Sequence, residues 1–293
     1  MNSPHRKNSQ PFQTLAFGYR VSRHERDIIK FFKKRGGTFH LDNPNLSPVG
    51  DRQLFICFTN RSGSNYLGAV LKSTGLIPQP REFFTSNFVT KFSTKNGLDH
   101  FHSYCRELGA QFSINGLFSS KVSMPQLFFL ERIGAYRTLF PNPVFVHIKR
   151  RDFLGQAISY SIANQTKVWT SAQEKSSREP TFDAGDIKKY LASILRDQMR
   201  CSEFFALSGQ PCLEVIYEEL VAAPQKVLAP VFEALGLESA FVDLETIELR
   251  KQRNAINDQF RTRFLEECRC TMIPTRNVLS EFVYEKSILE SFL

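Results

Sequence analysis

The chain has 293 residues, 42% of them hydrophobic and 23% charged, enough to bury one large α/β core or two smaller ones. A formal net charge of +9 and a pI near 9.3 favour anionic partners such as a nucleotide, a nucleic acid or an anionic membrane surface. No run reaches the apolar length of a membrane helix, so no transmembrane segment is expected, and the absence of helix-turn-helix, repeated RNA-binding or zinc-ligand spacing argues against nucleic acid. The six cysteines (57, 105, 201, 212, 268 and 270) show no paired framework and read as reduced, mostly structural thiols. With no apolar leader at the start, the expected setting is cytoplasmic.

Residues 1–50 are polar and basic. Apart from Ile28-Ile29-Lys30-Phe31-Phe32 they lack a periodic apolar pattern, and Pro44, Pro48 and Gly50 read as a linker. They are taken as a basic N-terminal extension, either an arm packed on the domain or on a second subunit, or a loose lead-in, with residues 51–293 forming the α/β domain. Leu54-Phe55-Ile56-Cys57-Phe58 is a charge-free run of the kind buried on both faces of a parallel sheet. It breaks at Asn60-Arg61-Ser62-Gly63-Ser64, and an amphipathic pattern (Leu67, Val70, Leu71) follows and stops at Gly75. Strand, polar turn and helix start together make an oxyanion site from amides, hydroxyls and the Arg61 guanidinium. The turn is not a nucleotide-kinase loop, because no lysine stands before Ser64.

Two prolines keep Ile77-Pro78-Gln79-Pro80-Arg81-Glu82-Phe83-Phe84 extended, which puts Glu82 on a loop where partial desolvation by its aromatic neighbours would suit a proton acceptor. A helix is predicted over 97–112, a strand over 112–121 with Lys121 near its end, and a helix over 126–136. Val144-Phe145-Val146-His147-Ile148 reads as the next strand, with His147 a packed sheet residue. It runs into Lys149-Arg150-Arg151-Asp152 and then a helix carrying Gln156, Ser159 and Asn164. Three basic residues at the C-terminal edge of a parallel strand need an anion or solvent, and that edge is where ligands bind. Arg151 at the strand end and Ser159 two helical turns on can reach one phosphate. Residues 170–186 read as a polar loop, followed by a helix over about 186–207, a strand over 212–217 and a helix after Pro224. Basic residues at 250–253, 261 and 263 read as a solvated helix face. Repeated strand–helix alternation gives an α/β class: a P-loop-like doubly wound sheet, mostly parallel and flanked by helices.

Four stretches together resemble the PAPS-dependent sulfotransferases, in particular the bacterial trehalose-type (Stf0) family. They are Arg61-Ser62-Gly63-Ser64 after a buried strand, Pro80-Arg81-Glu82-Phe83-Phe84, the run Arg150-Arg151-Asp152 with Gln156-Ala157-Ile158-Ser159 and Gln165-Thr166-Lys167-Val168-Trp169, and the segment with Gln252, Asn257 and Arg263-Phe264. Tyr217-Glu218-Glu219-Leu220 is similar to the wider sulfotransferase pattern. The likeness covers about residues 52–265. It implies that Arg61, Ser62, Gly63, Ser64 and Asn65 hold the 5′-phosphosulfate and that Arg151 and Ser159 hold the 3′-phosphate. It implies further that Arg253 reaches the nucleotide, that Glu82 is the general base, and that Lys121 stands near the bridging oxygen. By the same resemblance the acceptor is a hydroxyl of a carbohydrate or glycolipid, the nucleotide product adenosine 3′,5′-bisphosphate, and the enzyme a homodimer with no metal required. Residues choosing the acceptor are expected in loops at 85–96 and 170–185. The sequence departs from the wider pattern at Lys121-Val122-Ser123, where serine replaces a base histidine, and at Asn65-Tyr66, where a small hydroxyl residue is common. Two other classes share the basic sites: a P-loop-like kinase, which needs the missing lysine, and a non-catalytic nucleotide- or polyanion-binding protein.

Overall fold

The computed structural model describes residues 21–37, 41, 46–141, 143–170, 178–247 and 255–271, with side chains to Cys268. In chain order the elements are α1 (Arg23–Lys33), β1 (Arg52–Phe58), α2 (Ser64–Ser73), α3 (Ser86–Lys95), α4 (Phe101–Phe112), β2 (Leu117–Ser123), α5 (Met124–Arg132) and α6 (Ala135–Thr138). They continue with β3 (Val144–Lys149), α7 (Phe153–Thr166), α8 (Ala184–Ser208), β4 (Cys212–Ile216), α9 (Tyr217–Ala222), α10 (Pro224–Ala234) and α11 (Ala255–Thr271). They divide between two compact units. One lies within Met1–Arg151 and Ile194–Leu249, the other within Asp152–Ser193 and Arg250–Leu293.

The first unit holds the sheet, in the order β2-β1-β3-β4 with every pairing parallel. The charge-free run behaves as its pattern predicts, since β1 is buried from Gln53 to Phe58. Its side chains alternate between two cores. Leu54, Ile56 and Phe58 pack with Val146, Ile148 and Val215 against Leu67 and Leu71 of α2 and Leu228 and Phe232 of α10. Phe55 and Cys57 pack with Phe118 and Phe145 against α1, α4, α5, α6 and the Cys201–Phe204 turn of α8. This is the expected doubly wound parallel arrangement. The second core is largely aromatic: Phe55 meets Tyr136 and Phe140 edge-on at centroid distances of 5.2 and 5.1 Å, the geometry that ring quadrupoles favour.

Several sequence expectations need correction. Residues 23–33 of the expected extension form α1, capped by Ser22, which accepts from the Glu25 amide at 3.1 Å. Ile28 and Phe32 sit in the aromatic core, and buried Glu25 takes both ends of the Arg132 fork at 2.9 and 3.0 Å. Of the two readings for this stretch, packing on the domain holds. The strand expected from 112 begins at Leu117, because Asn115 (φ 48°) and Gly116 (φ 75°) make a left-handed turn before it. Lys121 stands near the C-terminal end of β2, two residues before Ser123, as expected. The predicted helix over 126–136 is two, α5 and α6, split at Gly134 (φ 74°). Residues 86–95, expected as loop, are α3, capped by Thr85 accepting from the Phe88 amide at 3.3 Å.

In the second unit Asp152 caps α7 by accepting from the Gly155 amide at 2.9 Å, and Arg261 of α11 meets the same carboxylate at 2.5 and 2.6 Å. Tyr160 stacks on Tyr190 at 4.1 Å, and Arg263 lies 4.2 Å over the Phe182 ring. Arg261 is thus held by a protein carboxylate, while Arg263, 62% exposed, keeps the solvated setting expected of it. Among the described residues no helix is long and apolar enough to cross a membrane.

Phe55 lies against five rings, those of Phe84, Phe118, Tyr136, Phe140 and Phe145, so Phe55→Ala leaves a cavity among them. The variant is expected to lose about 3–5 kcal/mol of unfolding free energy in a denaturant titration; a loss below about 1 kcal/mol would contradict this packing.

Candidate active site

The strand order fixes where a ligand can sit. The chain moves from β1 to β2 on one side, then crosses back to β3 on the other, so the C-terminal ends of β1 and β3 flank the switch point of the sheet. Residues 59–63 leave the first of these ends and residues 150–152 the second.

The loop after β1 is built by two left-handed residues, Arg61 (φ 64°) and Gly63 (φ 96°), with the Ser62 amide donating to the Thr59 carbonyl at 3.1 Å. Gly63 caps α2 without a side-chain hydrogen bond, so the first amides of the helix point out uncapped. A side chain at Gly63 would also meet the Tyr217 ring, since a Cβ there lies 2.2 Å from Tyr217 Cδ2. Ser62 is fully buried and its Oγ has no hydrogen-bond partner. A buried unpaired hydroxyl beside free helix amides suits an oxyanion.

Two guanidiniums face this loop. Arg150 Nη1 donates to the Arg61 carbonyl at 3.4 Å, and its guanidinium lies 5.0 Å over the Tyr217 ring. Burial first, and the neighbouring Arg150 charge second, push the Arg61 guanidinium below its ordinary range, while Tyr217 opposes them. Two like charges held together at a glycine turn concentrate positive charge there. Arg151 points elsewhere: it is 63% exposed and paired with Glu219, while its amide donates to Glu218 at 3.1 Å. The sequence reading chose Arg151 as the strand-end cation and passed over Arg150 and Tyr217, which the fold brings to the loop.

Glu82 and Lys121 meet beside Asn65, in α2's first turn. The extended segment before Glu82 is tied to β2, with Ser119 Oγ donating to the Pro78 carbonyl at 2.6 Å and the Lys121 amide to the Arg81 carbonyl at 2.8 Å. Phe83 and Phe84 are buried and fix the segment from the other end. Both rings lie in the aromatic core, and the Glu82 side chain beside them is 43% exposed. Lys121 Nζ is hydrogen-bonded to Asn65 Oδ1 and lies 3.3 Å from Glu82 Oε1, with its ammonium 5.5 Å over the Phe58 ring. One buried cation therefore links Asn65 at the anion loop to Glu82. Burial lowers the Lys121 pKa, against the opposing attraction of Glu82.

Ser159 lies in the second unit, half-buried on α7. Arg253 and Gln252 lie outside the described residues.

The Lys121 shift has a measurable sign. Folding buries the cation, so its folded pKa lies below the unfolded value near 10.5. The cost is fully present below the folded pKa and fades as pH rises toward the unfolded one. Stability should therefore gain with pH in the window just below 10.5 relative to Lys121→Met, read as the difference between the two proteins' unfolding free energies. A parallel pair of curves there would refute the burial cost.

A family model described as Stf0 sulphotransferase matches residues 124–267, a span that starts just after Lys121. Trehalose 2-sulfotransferase of Mycobacterium tuberculosis (strain ATCC 35801 / TMC 107 / Erdman) is 25% identical over 266 residues, covering 76% of this chain and 98% of that protein. The protein of the same name from Mycolicibacterium smegmatis (strain ATCC 700084 / mc(2)155) is 24% identical over 134 residues, 45% of this chain and 49% of its own length. Among solved structures, the sulfotransferase domain from the curacin biosynthetic pathway aligns with a TM-score of 0.43 at 17% identity, over 69% of this chain and 78% of its own. The sulfotransferase domain from the Synechococcus PCC 7002 olefin synthase aligns with a TM-score of 0.45 at 15% identity, over 75% and 90%. The family model over residues 124–267 and the long alignment with a trehalose 2-sulfotransferase both liken the chain to the Stf0 sulfotransferases.

Proposed function

We propose that the chain transfers a sulfuryl group in line from PAPS to a hydroxyl of a carbohydrate or glycolipid acceptor, with Glu82 as general base. The observation that carries this reading is the meeting of an anion-ready loop and a carboxylate through one buried lysine. PAPS, when bound, supplies the group to be transferred. Arg61, Ser62, Gly63, Ser64 and Asn65 hold its 5′ end, where the unpartnered Ser62 hydroxyl and the uncapped amides fit the oxyanions. Arg150 adds a second fixed charge at that end. Arg151 and Ser159 take the 3′-phosphate, and Arg253 the rest of the nucleotide, as the family resemblance implies.

Glu82, partly open to solvent, takes the proton of the acceptor hydroxyl at its free carboxylate oxygen. Lys121 holds that carboxylate in place and faces the loop, where charge develops on the leaving side. Positioning and fixed dipoles supply the rate enhancement in this scheme. The named relatives act on trehalose, and this supports a carbohydrate hydroxyl here. A homodimer is part of the same family-based reading.

Donor recognition is tested by thermal unfolding with adenosine 3′,5′-bisphosphate, using AMP and ATP as controls. Bisphosphate at about 100 times its dissociation constant should add roughly 2.7 kcal/mol to stability. An equal effect from ATP, or none from the bisphosphate, would reject the donor assignment. Arg151→Ala should weaken this binding, and unchanged affinity would remove Arg151 from the 3′-phosphate site. Glu82→Gln should lower turnover by about 10²-fold or more while leaving bisphosphate binding intact. Full turnover in that variant would move the base elsewhere.

A further inference from the structure

Seven of the chain's nine net positive charges fall within residues 1–37, where nine lysines and arginines face only two carboxylates, Glu25 and Asp27. The rest of the chain carries 29 basic against 27 acidic side chains, so the donor site does not account for the basic balance. A charge excess confined to one part of a chain points to an anionic partner for that part.

In α1, Arg23, Arg26, Lys30 and Lys33 follow one another at three- or four-residue steps, and with Lys34 just past its end they are all exposed. This spacing gathers them on one outward stripe, opposite the buried Glu25, Ile28 and Phe32. α3 lies beside α1 and runs the same way. His24 and Ser86 are hydrogen-bonded at 2.9 Å where the two helices begin. Arg35, just past α1, reaches Thr94 at 3.5 Å and Asp99 at 3.0 Å where α3 ends. Lys91 and Lys95, one turn apart on α3, are exposed, while Val89 packs in the same aromatic core as Ile28 and Phe32. Two helices that bury their inner sides in one core present their outer sides together, so these seven cations share one face.

The face lacks matching carboxylates. Asp27 lies 3.8 Å from Arg23, and Asp99 holds Arg35 at the edge. Among the described residues, Lys30, Lys33, Lys34, Lys91 and Lys95 pair with no carboxylate. Like charges one turn apart weaken a helix, so the stripe opposes folding and answers to a partner outside the chain. We propose that this face docks the protein on an anionic lipid surface. The cations are spread over two parallel helices of 11 and 10 residues, an array that matches separate headgroup charges on a plane. Nucleic acid fits less well, because the rings of these helices, Phe31, Phe32, Phe88 and Phe92, pack into the core and leave bases nothing to stack on. With the apolar sides committed to the core, docking is electrostatic: each lysine contributes about fivefold in affinity, and salt releases the protein. Thr85, which caps α3, donates to the Glu82 carbonyl at 3.4 Å. The face thus adjoins the segment that carries Glu82, and a lipid-linked hydroxyl is the acceptor that such a surface presents. That last step rests on the sulfuryl-transfer reading; the docking itself does not.

The test is co-sedimentation of the full chain with vesicles of phosphatidylcholine alone or with one-third phosphatidylglycerol, with neither donor nor acceptor present. Binding is expected only to the phosphatidylglycerol vesicles, at about 0.1 M salt and not at about 1 M, where screening is several times shorter in range. The triple substitution Lys30→Gln, Lys33→Gln and Lys34→Gln should weaken it roughly hundredfold, and Lys91→Gln with Lys95→Gln roughly 25-fold, both with the native circular dichroism spectrum. Lys72→Gln with Lys226→Gln, exposed lysines on α2 and α10 over the other core, should bind as the native chain does. No vesicle binding, equal binding to neutral vesicles, native affinity in the triple variant, or tighter binding of a single-stranded oligonucleotide at equal phosphate concentration would each overturn the proposal.

Discussion

The site depends on β1 being buried on both faces and paired along both edges. A strand so enclosed has no freedom in register, because a shift of one residue would exchange its two side-chain sets between unlike cores. The point where the chain leaves the sheet is fixed with it, and so is the start of the loop. The same register places Ile56 opposite both Lys121 and Val146. Lys121 consequently emerges on the face that carries α2, within reach of Asn65. A lysine one residue earlier or later in β2 would point into the aromatic core.

Much of this was legible in the sequence. The charge-free run, the polar turn and the stop at Gly75 specify strand, loop and helix by local chemistry alone, and alternation of such units implies a parallel sheet. The pieces that escaped were those whose helical character comes from tertiary contacts. The charged helix α1 has only a narrow apolar stripe, Ile28 and Phe32, and α3 follows a proline-rich segment with a mixed polar and aromatic sequence. Both are completed by packing on the aromatic core, where Ile28, Phe32 and Val89 are buried.

At the site, the Arg150-Arg151 doublet could not be resolved from composition. A period-two count could have done so: Val146 and Ile148 face the core under α2, and one more step gives Arg150. Tyr217 was less accessible to such reasoning. Its contact with Gly63 joins the end of β4 to the loop after β1, strands that are not neighbours in the sheet, and no local signal encodes that approach.

The two arginines differ in what an incoming phosphate would have to displace. The Arg151–Glu219 pair has 63% and 47% of its side chains exposed, and exposed pairs contribute about 0–1 kcal/mol. Exchanging that carboxylate for a phosphate costs little. Arg150 is only 19% exposed, stacked on Tyr217 and 3.7 Å from Glu218, so removing its surroundings would strand a partly buried charge. The doublet thus separates two tasks that its sequence leaves merged: Arg150 is a fixed charge beside the loop, and Arg151 is a cation whose protein partner can be exchanged.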